Sequence, residues 1–189
     1  MTLQGKTVAI LIAPRGTEEP EFTKPRDALV AAGATVTVIG LEAGEAETVN
    51  NDLEPAGKYP VDKVIDVVSA SSFDGLVIPG GSVGADKLRG SEAVIAFVRD
   101  FFQQAKPVGV ICHGPWTLVE ADVVKGRKLT SFPTVKTDIR NAGGEWVDAE
   151  VVVDKGLVTS RNPNDLPAFC AKIVEEFAEG RHPDQARST

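Results

Sequence analysis

The stretch Val108-Gly-Val-Ile111-Cys112-His113-Gly114-Pro115 decides how the chain is read. Val108–Ile111 is a short, almost wholly apolar run, as in a strand buried on both faces of a sheet. Cys112 ends the run, and Pro115, suited to a first helical position, opens a helix over Trp116–Ala121. A strand that stops at a cysteine and gives way at once to a helix has the form of a nucleophile elbow, in which a tight turn lifts the side chain clear of the backbone. The helix N-terminus favours an anion and so should lower the thiol pKa. Gly114 leaves room for a substrate. The plainer alternative is a buried structural cysteine. His113 is the better candidate base, because the one other histidine, His182, lies in the C-terminal tail. Neighbours on an extended turn point apart, so adjacency alone does not pair His113 with Cys112, and a capping role is its alternative.

Working outward, strands and helices alternate. Val8–Ala13 and Thr35–Ile39 read as strands. Between them Phe22, Pro25, Leu29 and Ala32 recur at helical spacing over Glu18–Ala32, ended by Gly33, with Pro25 predicting a kink or a late start. Gly40–Asp66 is polar and rich in Gly, Asn and Pro, and reads as a long excursion that includes a small hairpin rather than as a linker between domains. Leu76–Pro79 is a strand, and Ser91–Ala105 is a helix with a wide apolar face. Lys128–Ser131, Val151–Val153 and Leu157–Thr159 follow as strands, then a helix over Pro167–Phe177 and a loose tail after Gly180. The alternation predicts a mostly parallel sheet with helices on both faces. Ligands of such sheets sit outside the carboxyl ends of the strands. Three strand ends, Ala13–Glu19, Pro79–Ser82 and Ile111–Pro115, share one crevice if their strands are neighbours.

Composition narrows the function. The chain has 189 residues, 20 Lys+Arg against 27 Asp+Glu and a formal charge of −7, with 42% hydrophobic residues. That suits one domain over 1–189, with a core at about 6–178. The acidic balance disfavours non-specific binding to nucleic acid or an anionic membrane. Cys112, Cys170 and two histidines are too few for a His/Cys zinc site or a disulfide scaffold. A reduced cytoplasmic thiol protein fits better. Met1–Lys6 shows no signal-peptide pattern, and no apolar run is long enough to span a membrane.

Other candidates lie at the remaining strand ends. Gly80 and Gly81 are placed to turn backbone N–H groups toward a developing oxyanion, against the alternative of an ordinary glycine turn. Gly80-Gly81-Ser82-Val83-Gly84 also fits the G-x-S-x-G pattern of serine hydrolases, which makes Ser82 a rival nucleophile. One carboxylate of Glu18 and Glu19 is expected in the crevice against the Cys112 sulfur, unless both merely complement a helix dipole. Asp86 is by itself an ordinary solvated helix charge. Trp116 and Trp146 read as core or interface residues.

With these blocks in view, the sequence resembles the PfpI-type intracellular protease/deglycase family of the class I glutamine amidotransferase-like superfamily. The likeness is carried by Pro79-Gly-Gly81, Lys106-Pro-Val108, Ile111-Cys-His-Gly-Pro115, Gly126-Arg-Lys128, Asn141-Ala-Gly143, Glu145-Trp-Val-Asp-Ala-Glu-Val-Val-Val153, Ser160-Arg161 and Asp165-Leu166. It implies a flavodoxin-like three-layer α/β sandwich with Cys112 as nucleophile on the elbow and His113 as its partner. It also implies Glu18 as the acid near the sulfur, and Asp86 reaching a neighbouring subunit's histidine in a homodimer or higher homo-oligomer. Asp is shorter than the Glu common at that position. No metal or organic cofactor is implied. The expected activity is a stress-defence hydrolase or lyase acting on glycated proteins or small dicarbonyls. The alternatives are an intracellular cysteine peptidase and a non-catalytic redox sensor or holdase whose Cys112 is oxidised.

Overall fold

A computed structural model describes residues 2–186. The chain runs β1 (Thr7–Ile12), β2 (Arg15–Glu18), α1 (Glu19–Ala31), β3 (Thr35–Gly40), β4 (Gly44–Asn50), β5 (Glu54–Val61), β6 (Lys63–Val64), β7 (Gly75–Ile78), α2 (Ser82–Arg89), α3 (Glu92–Gln103) and β8 (Val108–Ile111). It continues through α4 (Pro115–Glu120), β9 (Lys128–Leu129), α5 (Lys136–Asn141), β10 (Glu145–Trp146), β11 (Val151–Asp154), β12 (Leu157–Ser160), α6 (Leu166–Glu179) and α7 (Pro183–Ala186).

Seven strands form the central sheet in the order β11-β12-β8-β7-β1-β3-β6. Every neighbouring pair is parallel except β11 with β12. Strand side chains alternate between the two faces, and both faces are covered. Val8, Ile10 and Ile12 of β1 join Val77 and Ile111 in packing on Phe22 and Leu29 of α1 and Phe169, Ile173 and Phe177 of α6. Ala9, Leu11, Leu76, Ile78, Val108 and Val110 face the other way, toward Val94, Val98 and Phe101 of α3 and Leu118 of α4. Each large side chain fully buried in this way stabilises the fold by about 1.5–3 kcal/mol. This is the mostly parallel sheet with helices on both faces expected from the alternating pattern, and the three-layer sandwich that the family resemblance implies. Because β7 lies between β1 and β8, the three strand ends singled out in the sequence do open into one crevice.

Three expectations need correction. The excursion after β3 does contain a hairpin, but a larger one than expected. β4 and β5 pair antiparallel, and β2 joins β4, giving a second, three-stranded sheet. Second, α1 starts at Glu19 and runs through Pro25, which is buried on its inner face. The proline takes away one helical N–H but keeps an apolar contact with the core. Third, the segment after Gly180 docks through residue 186. His182 N–H donates to Ala105 O at 2.7 Å, the Gln185 side chain donates to Lys106 O at 2.9 Å, and buried Arg127 donates to Gln185 O at 2.5 Å. Near it, Glu176, Glu179 and His182 bring ligand-type atoms within 4.8 Å of one another. This grouping lies at the end of α6 that packs on the start of β7, opposite the crevice. Among the described residues, no helix is long and apolar enough to cross a membrane.

Candidate active site

Cys112 directly follows β8 with φ 63°, in the left-handed region. A non-glycine residue held there stores on the order of 1–3 kcal/mol and needs support from its surroundings. That support is visible. Its N–H donates to Ser160 O at 3.1 Å, its carbonyl accepts from Phe132 N–H at 2.8 Å, and Gly114 N–H closes the turn on Ile111 O at 2.9 Å. Gly80, at the neighbouring strand end, completes the fit. A Cβ there would fall 2.6 Å from both Cys112 Cβ and Glu21 Oε2, so glycine is what lets three segments converge. Gly81 has φ +86°, and a side chain on it would collide with the Gly16 carbonyl.

The carboxyl at the sulfur is Glu21. It is fully buried. Its Oε2 accepts the Gly80 N–H at 2.9 Å, and the carboxyl lies within hydrogen-bonding reach of the Cys112 thiol. Its Oε1 is buried without a hydrogen-bond partner. Burial, with Glu18 and Asp52 adding negative charge nearby, pushes Glu21 up to about 8, against the pull of its bonds to Cys112 and Gly80. At neutral pH the group is therefore a neutral acid with an O–H to donate. Burial also pushes the Cys112 thiol well up, and an ionised Glu21 pushes it further. The Gly81 and His113 N–H groups at the sulfur pull it down. Helix α4 has only six residues, so its dipole offsets little of the burial penalty. The resting thiol holds its proton, and the two acids behave as a coupled pair.

His113 is buried, with its ring stacked on Phe132 at 4.7 Å between centroids and near Trp116 at 5.1 Å. Its Nδ1 lies 3.2 Å from Cys112 Sγ. Its Nε2 faces the hydroxyls of Ser82 and Thr134, each at 3.4 Å. Burial lowers the imidazole pKa, opposed by the negative charge of Asp52. A neutral imidazole beside a protonated thiol is a competent base for it.

The structure brings Cys112, His113, Gly80 and Gly81 together as the sequence implied, and it relocates the rest. Glu18 does not touch the sulfur. Its two carboxylate oxygens accept the N–H groups of Asn51 and Asp52, at 2.9 and 3.1 Å. Glu18 precedes α1, whereas Glu21 lies one turn inside it, on the stripe of Phe22, Pro25 and Leu29 that faces the core. A glutamate on an apolar stripe was the available signal. Gly80 and Gly114 are not free oxyanion donors, because Glu21 and Ile111 O already hold their N–H groups. Ser82 is not the nucleophile of a Ser-His-Asp triad. The acid of such a triad orients the imidazole through its other nitrogen, and that nitrogen faces Cys112. Asp86 is exposed on α2, beside a surface hollow lined also by Ser82, Val83, Lys87 and Trp116. Trp116 packs on His113, and Trp146 donates to Ser131 Oγ at 2.9 Å.

A parallel α/β sandwich with a strained cysteine at the end of a central strand, an imidazole against its sulfur and a buried acid behind it defines the class of elbow-cysteine α/β proteins. Within that class the chain belongs to the DJ-1/PfpI family, whose pattern matches residues 6–176. It is 47% identical over 165 residues to Protein/nucleic acid deglycase 2 of Escherichia coli, covering 87% of this chain and 93% of that protein. General stress protein 18 of Bacillus subtilis is 42% identical over 166 residues, covering 87% and 94%. Among solved structures, Drosophila melanogaster DJ-1beta superposes with a TM-score of 0.82 at 31% identity, covering 99% of this chain and 95% of that one.

Proposed function

We propose that this chain is a cysteine-dependent deglycase that removes dicarbonyl-derived groups from amines and thiols, as one of the enzymes of stress defence. The observation that carries the reading is the sulfur's setting, 3.2 Å from His113 Nδ1 and backed by a buried, neutral Glu21. His113 takes the thiol proton as sulfur attacks the electrophilic carbon of the adduct. The C=O electron pair moves onto oxygen, toward the N–H groups of Gly81 and His113. On the neighbouring carbinol carbon the O–H proton passes to that oxyanion, its electron pair forms an aldehyde C=O, and the C–N or C–S bond breaks with its pair on the amine or thiol, which takes the imidazolium proton. The thiohemiketal then collapses, its O–H proton returning to sulfur as the C–S bond breaks and the dicarbonyl leaves. The relatives' names, deglycase and general stress protein, support this reading.

Accessibility favours a small electrophile over an extended peptide. Cys112 is 6% exposed and His113 5%, so a one- to three-carbon group reaches the sulfur with less rearrangement than a polypeptide backbone needs. The acidic surface weighs against holding a long polyanion, not against a single glycated base. The role that family resemblance implies for Asp86 requires a second copy of the chain, because Asp86 is exposed on its own.

The test follows the loss of methylglyoxal adducts of N-acetylarginine and N-acetylcysteine, with free methylglyoxal and a peptide substrate as parallel arms. Each rate is compared with the spontaneous dissociation of the same adduct. Adduct loss faster than spontaneous dissociation, absent in Cys112→Ser, is the expected result. Consumption of the free dicarbonyl alone, with adducts decaying only at their spontaneous rate, would make the protein a glyoxalase. Cleavage confined to the peptide would make it a peptidase.

A further inference from the structure

The network on the far side of His113 is unused by the mechanism above. Asp52 sits at the tip of the β4–β5 hairpin, where Asn51 and Asp52 have φ of 52° and 64°. The buried Glu18 carboxylate holds this tip through both residues' N–H groups. Asp52 in turn reaches the start of α2. Its Oδ1 accepts Ser82 N–H at 2.6 Å, and its Oδ2 accepts the Ser82 hydroxyl at 3.2 Å. Ser82 Oγ then stands 3.4 Å from His113 Nε2.

We infer that Asp52, acting through Ser82, fixes His113 in the tautomer that leaves Nδ1 free to take the Cys112 proton, and that Glu18 positions Asp52 for this. A serine hydroxyl has one hydrogen, and a carboxylate only accepts. With that hydrogen on Asp52 Oδ2, Ser82 Oγ can only accept from the imidazole, which places the imidazole proton on Nε2, where the Thr134 hydroxyl oxygen, also 3.4 Å away, can accept it as well. The lone pair of Nδ1 then faces the sulfur. When the Cys112 S–H bond breaks and an Nδ1–H bond forms, the ring carries a positive charge. The Nε2–H bond to Ser82 strengthens, and the Asp52 carboxylate is the negative charge behind it. Asp52 and Ser82 thus do in one chain, with a serine interposed, what a triad acid does by direct contact. They are positioning residues, since neither touches the reacting carbon. This also gives Glu18, the residue that the family resemblance places at the sulfur, a role away from it.

The inference rests on the proposed use of His113 as base, so its test reads the imidazole and the thiol rather than substrate turnover. The chain has two histidines, and a His182→Gln variant assigns the remaining 15N imidazole signals to His113. In the wild type the Nε2–H tautomer is expected. Asp52→Asn keeps an acceptor for Ser82 N–H while offering an amide donor to the hydroxyl, which frees the serine hydrogen to donate to Nε2. The His113 signals should then move toward the Nδ1–H tautomer, and Cys112 alkylation at pH 7 should slow by about tenfold or more as the base is lost. Ser82→Ala should lose the same tautomer preference without altering the hairpin, and Ser82→Thr should restore it. Glu18→Gln should weaken it. Unchanged His113 signals and alkylation profile in both Asp52→Asn and Ser82→Ala would overturn the inference. So would a His113 that ignores both and responds to Asp86→Asn. Either result leaves the deglycase assay standing, and a negative deglycase assay leaves the tautomer result standing.

Discussion

Cys112→Ala leaves adduct turnover at the spontaneous rate, a loss of at least about 10³-fold. Every bond-making step runs through this sulfur, and the second cysteine cannot substitute for it. Cys170 lies on α6, its thiol pushed up to about 11 by burial, with no imidazole beside it. Cys112→Ser is expected to be equally inactive although it keeps a hydroxyl of similar size. His113 and the buried Glu21 are matched to a thiol, and a serine hydroxyl is far less acidic. The check is turnover measured beside thermal unfolding. The elbow is held by backbone bonds from Ser160 and Phe132 that neither substitution removes, so both variants should remain folded. Residual turnover within tenfold of wild type in either variant would mean that the chemistry lies elsewhere.

The second large effect is on stability, and it belongs to Glu21. Its ordinary value of 4.5 is raised to about 8 in the folded protein. Below pH 4.5 the folded and unfolded chains both hold this proton. Between 4.5 and 8 the unfolded chain gives it up while the folded chain keeps it, so stability falls as pH rises and levels off above 8. The span corresponds to an upper limit on the order of 4–5 kcal/mol. Glu21→Gln removes the titration and should flatten that slope, leaving the variant more stable than wild type at pH 8.5 relative to their difference at pH 5. Urea unfolding at the two pH values measures it. The comparison must be between variants, because Glu176, also raised by burial, adds a slope of the same sign. Glu19, Glu47 and Asp165 are lowered, and their contributions change in a more acidic window. Equal slopes in wild type and Glu21→Gln would show that Glu21 is ionised in the fold.

Much of this arrangement was legible in the sequence, for physical reasons. A strand buried on both faces must be apolar throughout, so β1, β7 and β8 announced themselves. A cysteine between such a strand and a helix-starting proline has few places to go but an elbow. The small sheet was illegible because β5 reads Glu-Pro-Ala-Gly-Lys-Tyr-Pro-Val, mostly exposed edge residues in which prolines and a glycine hide the alternation. The sulfur's acid was misplaced by one helical turn. Glu18 and Glu21 are alike in composition, and they differ only in which one shares the inward stripe with Phe22 and Pro25. Asp52 and Ser82 are 30 residues apart and meet where the hairpin tip, bonded to Glu18, lies against the start of α2. No local spacing encodes that meeting. The docking of residues 181–186 was hidden for a similar reason, since it depends on polar bonds from Gln185 and Arg127 rather than on an apolar pattern.

If the Cys112 sulfur and a neutral Glu21 share a proton beside His113, alkylation followed across pH reads that sharing out. Wild-type protein is treated briefly with iodoacetamide between pH 5 and 10, and labelling of Cys112 and Cys170 is read separately by peptide mapping. Once the coupled pair has lost its first proton, near pH 8, the thiolate fraction at Cys112 stops growing, because the second proton is held against a like charge. Cys112 labelling should therefore rise to about pH 8 and level off, while Cys170 labelling keeps rising toward its value of about 11. Glu21→Gln should abolish the plateau. Cys112 labelling that climbs in parallel with Cys170 through pH 10, in wild type and Glu21→Gln alike, would contradict the account.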